Sequence, residues 1–413
     1  MTRSLPYLML VVFACCLPAL VHADGEWPGW RGPQHNGHTS ESGLPTKWDT
    51  KAVVWKTKLP GEGQSSPVVW GERIFLTAAL EKGKKRIVLC VERTTGKIVW
   101  EQEAWAGAPE PSHVMNGWAS ATCATDGECV IAFFGKGGLH AFSMDGKKLW
   151  SRDLGQFPGP WGTCACPLIV GDLVIQNCDS IKDPFIIGVD KRTGKDVWKT
   201  SRPTPFRGGW SSPVPVDAGT RKEIVLNGED FVIGYDPTKG TELWRCKSFI
   251  GRGEPTVAPG KGLVYVINGL VGDIYAVKLG GSGDVTKSHM AWHTPRKGGR
   301  DQPSPILVGD YLITADMTGI ATCYNATTGK VLWKERLRGT QFTSSPIAAN
   351  GLVYYQSEAG ETSVIEPGPT FKVIAESNVG AGPGEIFRAS LTPSKGQIFS
   401  RSQSHLYCLG APK

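Results

Sequence analysis

The sequence contains no CxxC pair and no CxxCH, so neither a zinc ribbon nor covalent c-type haem is supported. No block of Lys or Arg carries the net charge of +7, which excludes an obvious nucleic-acid footprint. No nucleophile elbow with Ser, His and Asp is present, and no glycine loop opens a helix to cradle phosphate. Beyond the first two dozen residues no run is apolar and long enough to span a bilayer. Helical 3.6-residue periodicity is also missing. What remains is a chain of 413 residues with 52 Gly, 29 Pro and 15 Trp. That is too long for one small sandwich and too rich in glycine for a helix bundle.

Residues 1–23 are expected to be a secretory signal peptide. Arg3 supplies the positive end, Leu8 to Leu20 the apolar stretch, and Val21-His22-Ala23 a small-residue cleavage site. Lipid attachment at Cys15 ranks second. Setting aside Cys15 and Cys16 leaves nine of the 11 cysteines, an odd number. Cys123 and Cys129, across the turn-like segment between them, are the expected disulfide in an exported compartment. The other cysteines read as small buried hydrophobes.

Trp55, Trp100, Trp150, Trp198, Trp244, Trp292 and Trp333 recur at spacings of 45, 50, 48, 46, 48 and 41 residues. An eighth slot falls near Val373. Five of the tryptophans follow a glycine by four residues: Gly96, Gly146, Gly194, Gly240 and Gly329. Glycine supplies the positive φ of a hairpin turn, and apolar alternation on both sides makes strands. A second landmark follows most of the tryptophans: Ser66-Pro67, Cys166-Pro167, Ser212-Pro213, Ser304-Pro305 and Ser345-Pro346. About four short strands per repeat predict an all-β, eight-bladed β-propeller of four-stranded blades. The last repeat lacks its outer strand, and Ala52-Val53-Val54-Trp55 belongs to no earlier repeat. The N-terminal strand is therefore expected to complete the last blade and close the ring. The domain reading is a signal peptide over 1–23, a lead-in over 24–51 and the propeller over 52–413.

The Thr95-Gly96-Lys97-Ile98-Val99-Trp100 and Thr328-Gly329-Lys330-Val331-Leu332-Trp333 strings resemble the PQQ-like β-propeller repeat family. The resemblance covers residues 52–410, and Trp27-Pro28-Gly29-Trp30-Arg31-Gly32-Pro33 is similar to the lead-in of such proteins. It implies one of two branches. Quinoprotein dehydrogenases hold pyrroloquinoline quinone (PQQ) and calcium on the propeller axis. BamB-like proteins are non-enzymatic scaffolds of the outer membrane. The dehydrogenase branch carries a vicinal disulfide over its cofactor, and the only adjacent cysteines here are Cys15-Cys16. No calcium-ligand motif is matched, so no catalytic residue and no metal ligand are assigned.

Ligands of a propeller sit where its innermost strands converge. The residues there are Gln64, Trp118, Trp161, Trp210, Glu254, Gln302, Phe342 and Arg388. The three tryptophans read equally as a stacking wall for a ligand or as a packing plug. His113, Arg207, Arg300 and Asp301 lie nearby in sequence. Asp179, Glu229, Asn268, Asp316, Glu358 and Arg401, with Lys136, form a second set at strand ends. They are expected either to line a polar mouth or to be ordinary turn residues. The leading expectation is an exported, monomeric, non-catalytic scaffold for an envelope protein or a small polar ligand. A PQQ- and calcium-dependent oxidoreductase is the alternative, and carbohydrate binding by the three tryptophans is a third reading.

Overall fold

The computed structural model describes residues 25–203, 208–249, 251–296, 299–300 and 302–410. The expected signal segment, with Cys15 and Cys16, lies outside the described residues, as do Arg207 and Asp301. The chain forms eight antiparallel sheets arranged as blades of a ring. Seven are contiguous, over residues 68–106, 124–152, 168–201, 214–247, 258–294, 306–336 and 347–378. The eighth takes residues 392–409 and is completed by Val53–Lys58, with Trp55 opposite Cys408. This is the closure expected from the incomplete last repeat, and it leaves no open sheet edge at the join. Among the described residues the only helices are three single 3-10 turns.

The glycines and tryptophans meet across blade seams. Gly96, Gly146 and Gly194 all have positive φ, and a Cβ there would stand 2.6–2.8 Å from Trp55, Trp100 and Trp150 of the preceding blade. Glycine thus makes the turn and clears room for the neighbour's indole. Six of the seven tryptophans donate Nε1–H to a main-chain carbonyl of the following blade. The acceptors are Arg93 (3.1 Å), Met144 (3.0 Å), Lys191 (2.8 Å), Pro237 (3.2 Å), Ala326 (2.8 Å) and Gly368 (3.0 Å). The indole body is buried and its one polar atom is satisfied. Trp244 differs. Its Nε1 donates to Glu223 Oε2 of its own blade at 2.8 Å. Residues 279–289 of the next blade fold over it, and Gly283–Asp284 adds a fifth strand parallel to Trp244-Arg245. The eighth slot, expected near Val373, is Ala375: it stands opposite Val364 as Trp333 stands opposite Cys323. Trp48 of the lead-in packs in the same cluster, its N–H donating to Ser377 Oγ at 2.9 Å.

The Ser-Pro landmark builds a girdle around the axis. Ser66 N–H donates to Thr122 Oγ1, Thr122 to Cys166 Sγ, Cys166 to Ser212 Oγ, and Ser212 to Thr256 Oγ1. Thr256 donates to Ser304 Oγ, Ser304 to Ser345, Ser345 to Ser390, and Ser390 back to Ser66. The seven bonds to hydroxyls span 2.8–3.0 Å, and the bond to the Cys166 thiol is 3.3 Å. Each inner strand would otherwise leave a buried N–H without a partner. Five of these residues precede proline, which holds them extended and so aims the side chain at the neighbouring blade. At the closing seam the buried Arg401 donates to the carbonyls of Ser65 (2.9 Å) and Thr77 (2.8 Å).

The lead-in crosses one end of the channel. Trp27 bridges to Val69, Pro28 O accepts from Thr125 N–H, Arg31 Nη2 donates to Pro305 O at 2.9 Å, and Thr39 N–H donates to Ala348 O. The expected disulfide is not formed. Cys123 and Cys129 are both free and buried. Their hairpin pairs Ala124 with Ile131 and Thr125 with Val130, so the two side chains emerge on opposite sheet faces. Cys123 packs with Val130 and Ala132, whereas Cys129 packs with Ile131.

Candidate functional site: the axial cavity

Two residues before each girdle position the side chain again points at the axis, because strand side chains alternate. These eight positions are Gln64, Ser120, Cys164, Trp210, Glu254, Gln302, Thr343 and Arg388, and all of them line one cavity of about 190 Å³. Seven of the girdle residues form its lower wall. Trp30 reaches it from the lead-in. At the other end the segment carrying His113 and Asn116 approaches Trp161. The His113 and Trp161 rings are 5.2 Å apart, and Asn116 Nδ2 donates to Trp161 O at 3.0 Å. Arg388 ties this segment across the axis by donating to Val114 O at 3.0 Å.

Of the residues expected at the axis, Gln64, Trp161, Trp210, Glu254, Gln302 and Arg388 meet here, with His113 and Arg300. Trp118 and Phe342 do not. Trp118 donates Nε1–H to Glu110 O at 2.7 Å and lies on Gly83, whose missing Cβ makes the space. Phe342 is wholly buried between blades against Gly319. Ser120, Cys164, Thr343, Arg252 and Trp30 are lining residues that the sequence reading did not single out. Counting back two from the Cys166-Pro167 and Ser345-Pro346 landmarks finds Cys164 and Thr343, and Ser120 holds the same place before Thr122, which no proline follows. No repeat signal marks Trp30.

None of the second set is among the residues that line this cavity. Asp179 is buried and paired with Arg202 at 2.6 Å, Asn268 donates to Phe249 O, and Asp316 accepts from Thr318 and Ile320 N–H in a turn. Glu358 holds Arg388 through two bonds of 3.0 and 3.3 Å. Arg401 serves the closing seam, and Lys136 donates to Ala108 O. Glu229 sits close enough to raise the carboxyls of both Asp179 and Glu254. These groups sit at strand ends because they tie adjacent segments together there.

Among the described residues the cavity has three guanidinium groups, from Arg252, Arg300 and Arg388, and one carboxylate, Glu254. Arg388 is neutralised by Glu358. Arg252 Nη1 lies 3.7 Å from Glu254 Oε1, and its guanidinium stands 5.2 Å over the Trp161 ring. Burial pushes the Glu254 carboxyl up to about 7, against the pull of Arg252 and Arg300. Among the described residues, Gln64 Oε1, Asn116 Oδ1, Arg252 Nε, Glu254 Oε2 and Arg300 Nε are buried with no hydrogen-bond partner. Five such atoms around one small cavity mark a place where a polar ligand or ordered water completes the bonding.

Among the described residues the cavity does not form a calcium site by itself. Calcium takes six to eight oxygens, usually with several carboxylates. The described lining offers one carboxylate, Glu254, and no group of three His, Cys, Asp or Glu among the described residues is placed to hold a metal.

The family model described as "Outer membrane protein assembly factor BamB" matches residues 38–163, 182–273 and 270–367. The outer membrane protein assembly factor BamB of Burkholderia pseudomallei (strain K96243) is 22% identical over 366 residues, covering 74% of this chain and 86% of that protein. A polyvinylalcohol dehydrogenase of a Pseudomonas species is 23% identical over 271 residues, 60% of this chain. The chain spans 36% of that enzyme's length. Among solved structures, BamB from Moraxella catarrhalis superposes with a TM-score of 0.60 at 16% identity, covering 87% of this chain and 97% of that one. A europium-containing methanol dehydrogenase superposes with a TM-score of 0.70 at 12% identity, covering 94% and 98%. These two likenesses establish the shared ring of blades and nothing finer. With matched segments over most of its length, the chain belongs to the PQQ-like β-propeller family, in the group described as outer membrane protein assembly factor BamB.

Proposed function

We propose that this protein is an exported, non-catalytic propeller of the cell envelope that serves as a scaffold for a protein partner, a reading supported by its likeness to a protein named outer membrane protein assembly factor. The observation that carries the reading is the match of residues 38–163, 182–273 and 270–367 to the family model described as outer membrane protein assembly factor BamB. No helix among the described residues is long and apolar enough to cross a membrane, so attachment to the envelope would run through the partner or a lipid at the N-terminus.

Two measurements test this. Deleting the gene in its host should lower the abundance of outer-membrane β-barrel proteins, and unchanged abundance overturns the assembly role. Purified protein given PQQ and calcium should reduce no dye with alcohols or aldoses. Substrate-dependent reduction that vanishes on chelation overturns the non-catalytic reading.

A further inference from the structure

The axial cavity holds two kinds of unmet hydrogen-bonding capacity side by side. Arg252 Nε and Arg300 Nε need acceptors, and Gln64 Oε1 and Asn116 Oδ1 need donors. The girdle adds hydroxyls of Ser66, Ser304, Ser345 and Ser390, each of which accepts a backbone N–H. Each keeps an O–H to donate toward the axis. Trp161 already faces the Arg252 guanidinium and the His113 ring. Trp210 donates Nε1–H to Gly162 O at 3.0 Å and lines the same space, with no ring or cation partner among the described residues.

We propose that this cavity binds a monosaccharide-sized sugar acid, its carboxylate on Arg252 and Arg300, its hydroxyls on Gln64 and Asn116, and its apolar ring face on Trp210. The proposal deepens the ligand side of the scaffold reading and needs no protein partner. Its chemistry follows by elimination. An inorganic oxyanion would satisfy the guanidiniums and leave the Trp210 indole uncovered. A neutral sugar would satisfy Gln64 and Asn116 and leave two buried guanidinium N–H groups without an acceptor, which is costly. An amine would satisfy Glu254, Gln64 and Asn116 and leave the Arg252 and Arg300 Nε–H groups without an acceptor. Size agrees, because a cavity of about 190 Å³ has room for one sugar ring.

The test is calorimetry on the full exported chain with glucuronate, galacturonate, glucose, acetate and inorganic phosphate. A uronate is expected to bind roughly tenfold or more tighter than glucose or acetate, the worth of one charge-assisted pair. Arg300→Gln should abolish that preference. Trp210→Ala should weaken uronate about tenfold, as loss of a stacking surface does. Arg300→Lys keeps the charge and should give an intermediate affinity, which separates recognition from misfolding if Arg300→Gln proves unstable. Glucose binding as tightly as glucuronate overturns the proposal, as does phosphate or acetate binding as tightly. Failure of every acid to bind overturns it as well. None of these results bears on outer-membrane protein abundance, so the scaffold reading fails or stands separately.

Discussion

The girdle and the ring of residues two positions before it come from the same eight segments leading into the innermost strands and point at the same axis, but one is nearly uniform and the other is varied. The girdle reads Ser, Thr, Cys, Ser, Thr, Ser, Ser, Ser around the ring, and every member does one job: it accepts the N–H of the blade before it. The ring above reads Gln, Ser, Cys, Trp, Glu, Gln, Thr, Arg. No one side-chain bond repeats from blade to blade there, and the residues range from Ser and Cys to Trp, Glu and Arg. Near-uniformity around a symmetric fold marks a structural duty, and a position that varies from blade to blade marks the surface open to a ligand.

That contrast breaks first at Ser345. Ser345→Ala leaves the buried Ser304 N–H without its acceptor, at a cost of about 1–3 kcal/mol. Chemical denaturation should show it, with uronate affinity little changed. A loss of binding without a loss of stability would reverse the roles of the two rings. The second effect is pH-dependent and belongs to Glu254, whose carboxyl is raised to about 7 from an ordinary 4.5. A carboxyl raised on folding binds more protons in the native state, so its stabilisation is complete at low pH and lost as pH rises from about 4.5 through about 7. The groups acting on it are Arg252, Arg300 and Glu229, and Cys164 lies within its field. The Glu254→Gln protein should therefore gain on the order of 1–3 kcal/mol relative to the parent between pH 5 and pH 8. Parallel pH–stability curves for the two proteins would show that Glu254 ionises freely. The smallest effect is at the girdle's one thiol. Cys166→Ser restores a hydroxyl where Thr122 N–H now meets sulfur at 3.3 Å, and should change stability by no more than about 0.5 kcal/mol. A large destabilisation would mean that the sulfur fills space that oxygen cannot.

The architecture was readable because each element of it is one contact repeated around a ring. A glycine turn and a tryptophan at a fixed interval describe a seam, and a Ser-Pro step describes a girdle bond. The cavity was readable only where its residues obey that register, as Gln64, Trp210, Glu254, Gln302 and Arg388 do. Weighting aromatic residues above register led to Trp118 and Phe342, which are large because they fill seams. The same weighting passed over Ser120, Cys164 and Thr343. The disulfide expectation rested on sequence proximity, whereas strand alternation sends Cys123 and Cys129 to opposite faces. Trp30 arrives from a lead-in with no periodic pattern, and only the path of the chain across the channel brings it to the axis.

The strand that completes the eighth blade has a consequence for how the molecule is made. Val53–Lys58 is synthesised near the beginning of the chain and pairs with His405–Leu409 near its end. The join has little bearing on final stability, since loop-closure entropy grows only slowly with loop length. Its burden falls on kinetics, because contacts between distant parts of a chain form late. Seven blades have all their strands before the last one is translated, and the eighth has none of its pairing until then. Through that interval the first strand stays unmated with its backbone bare. A polypeptide built this way depends on whatever keeps its leading segment from finding another partner before its own tail arrives.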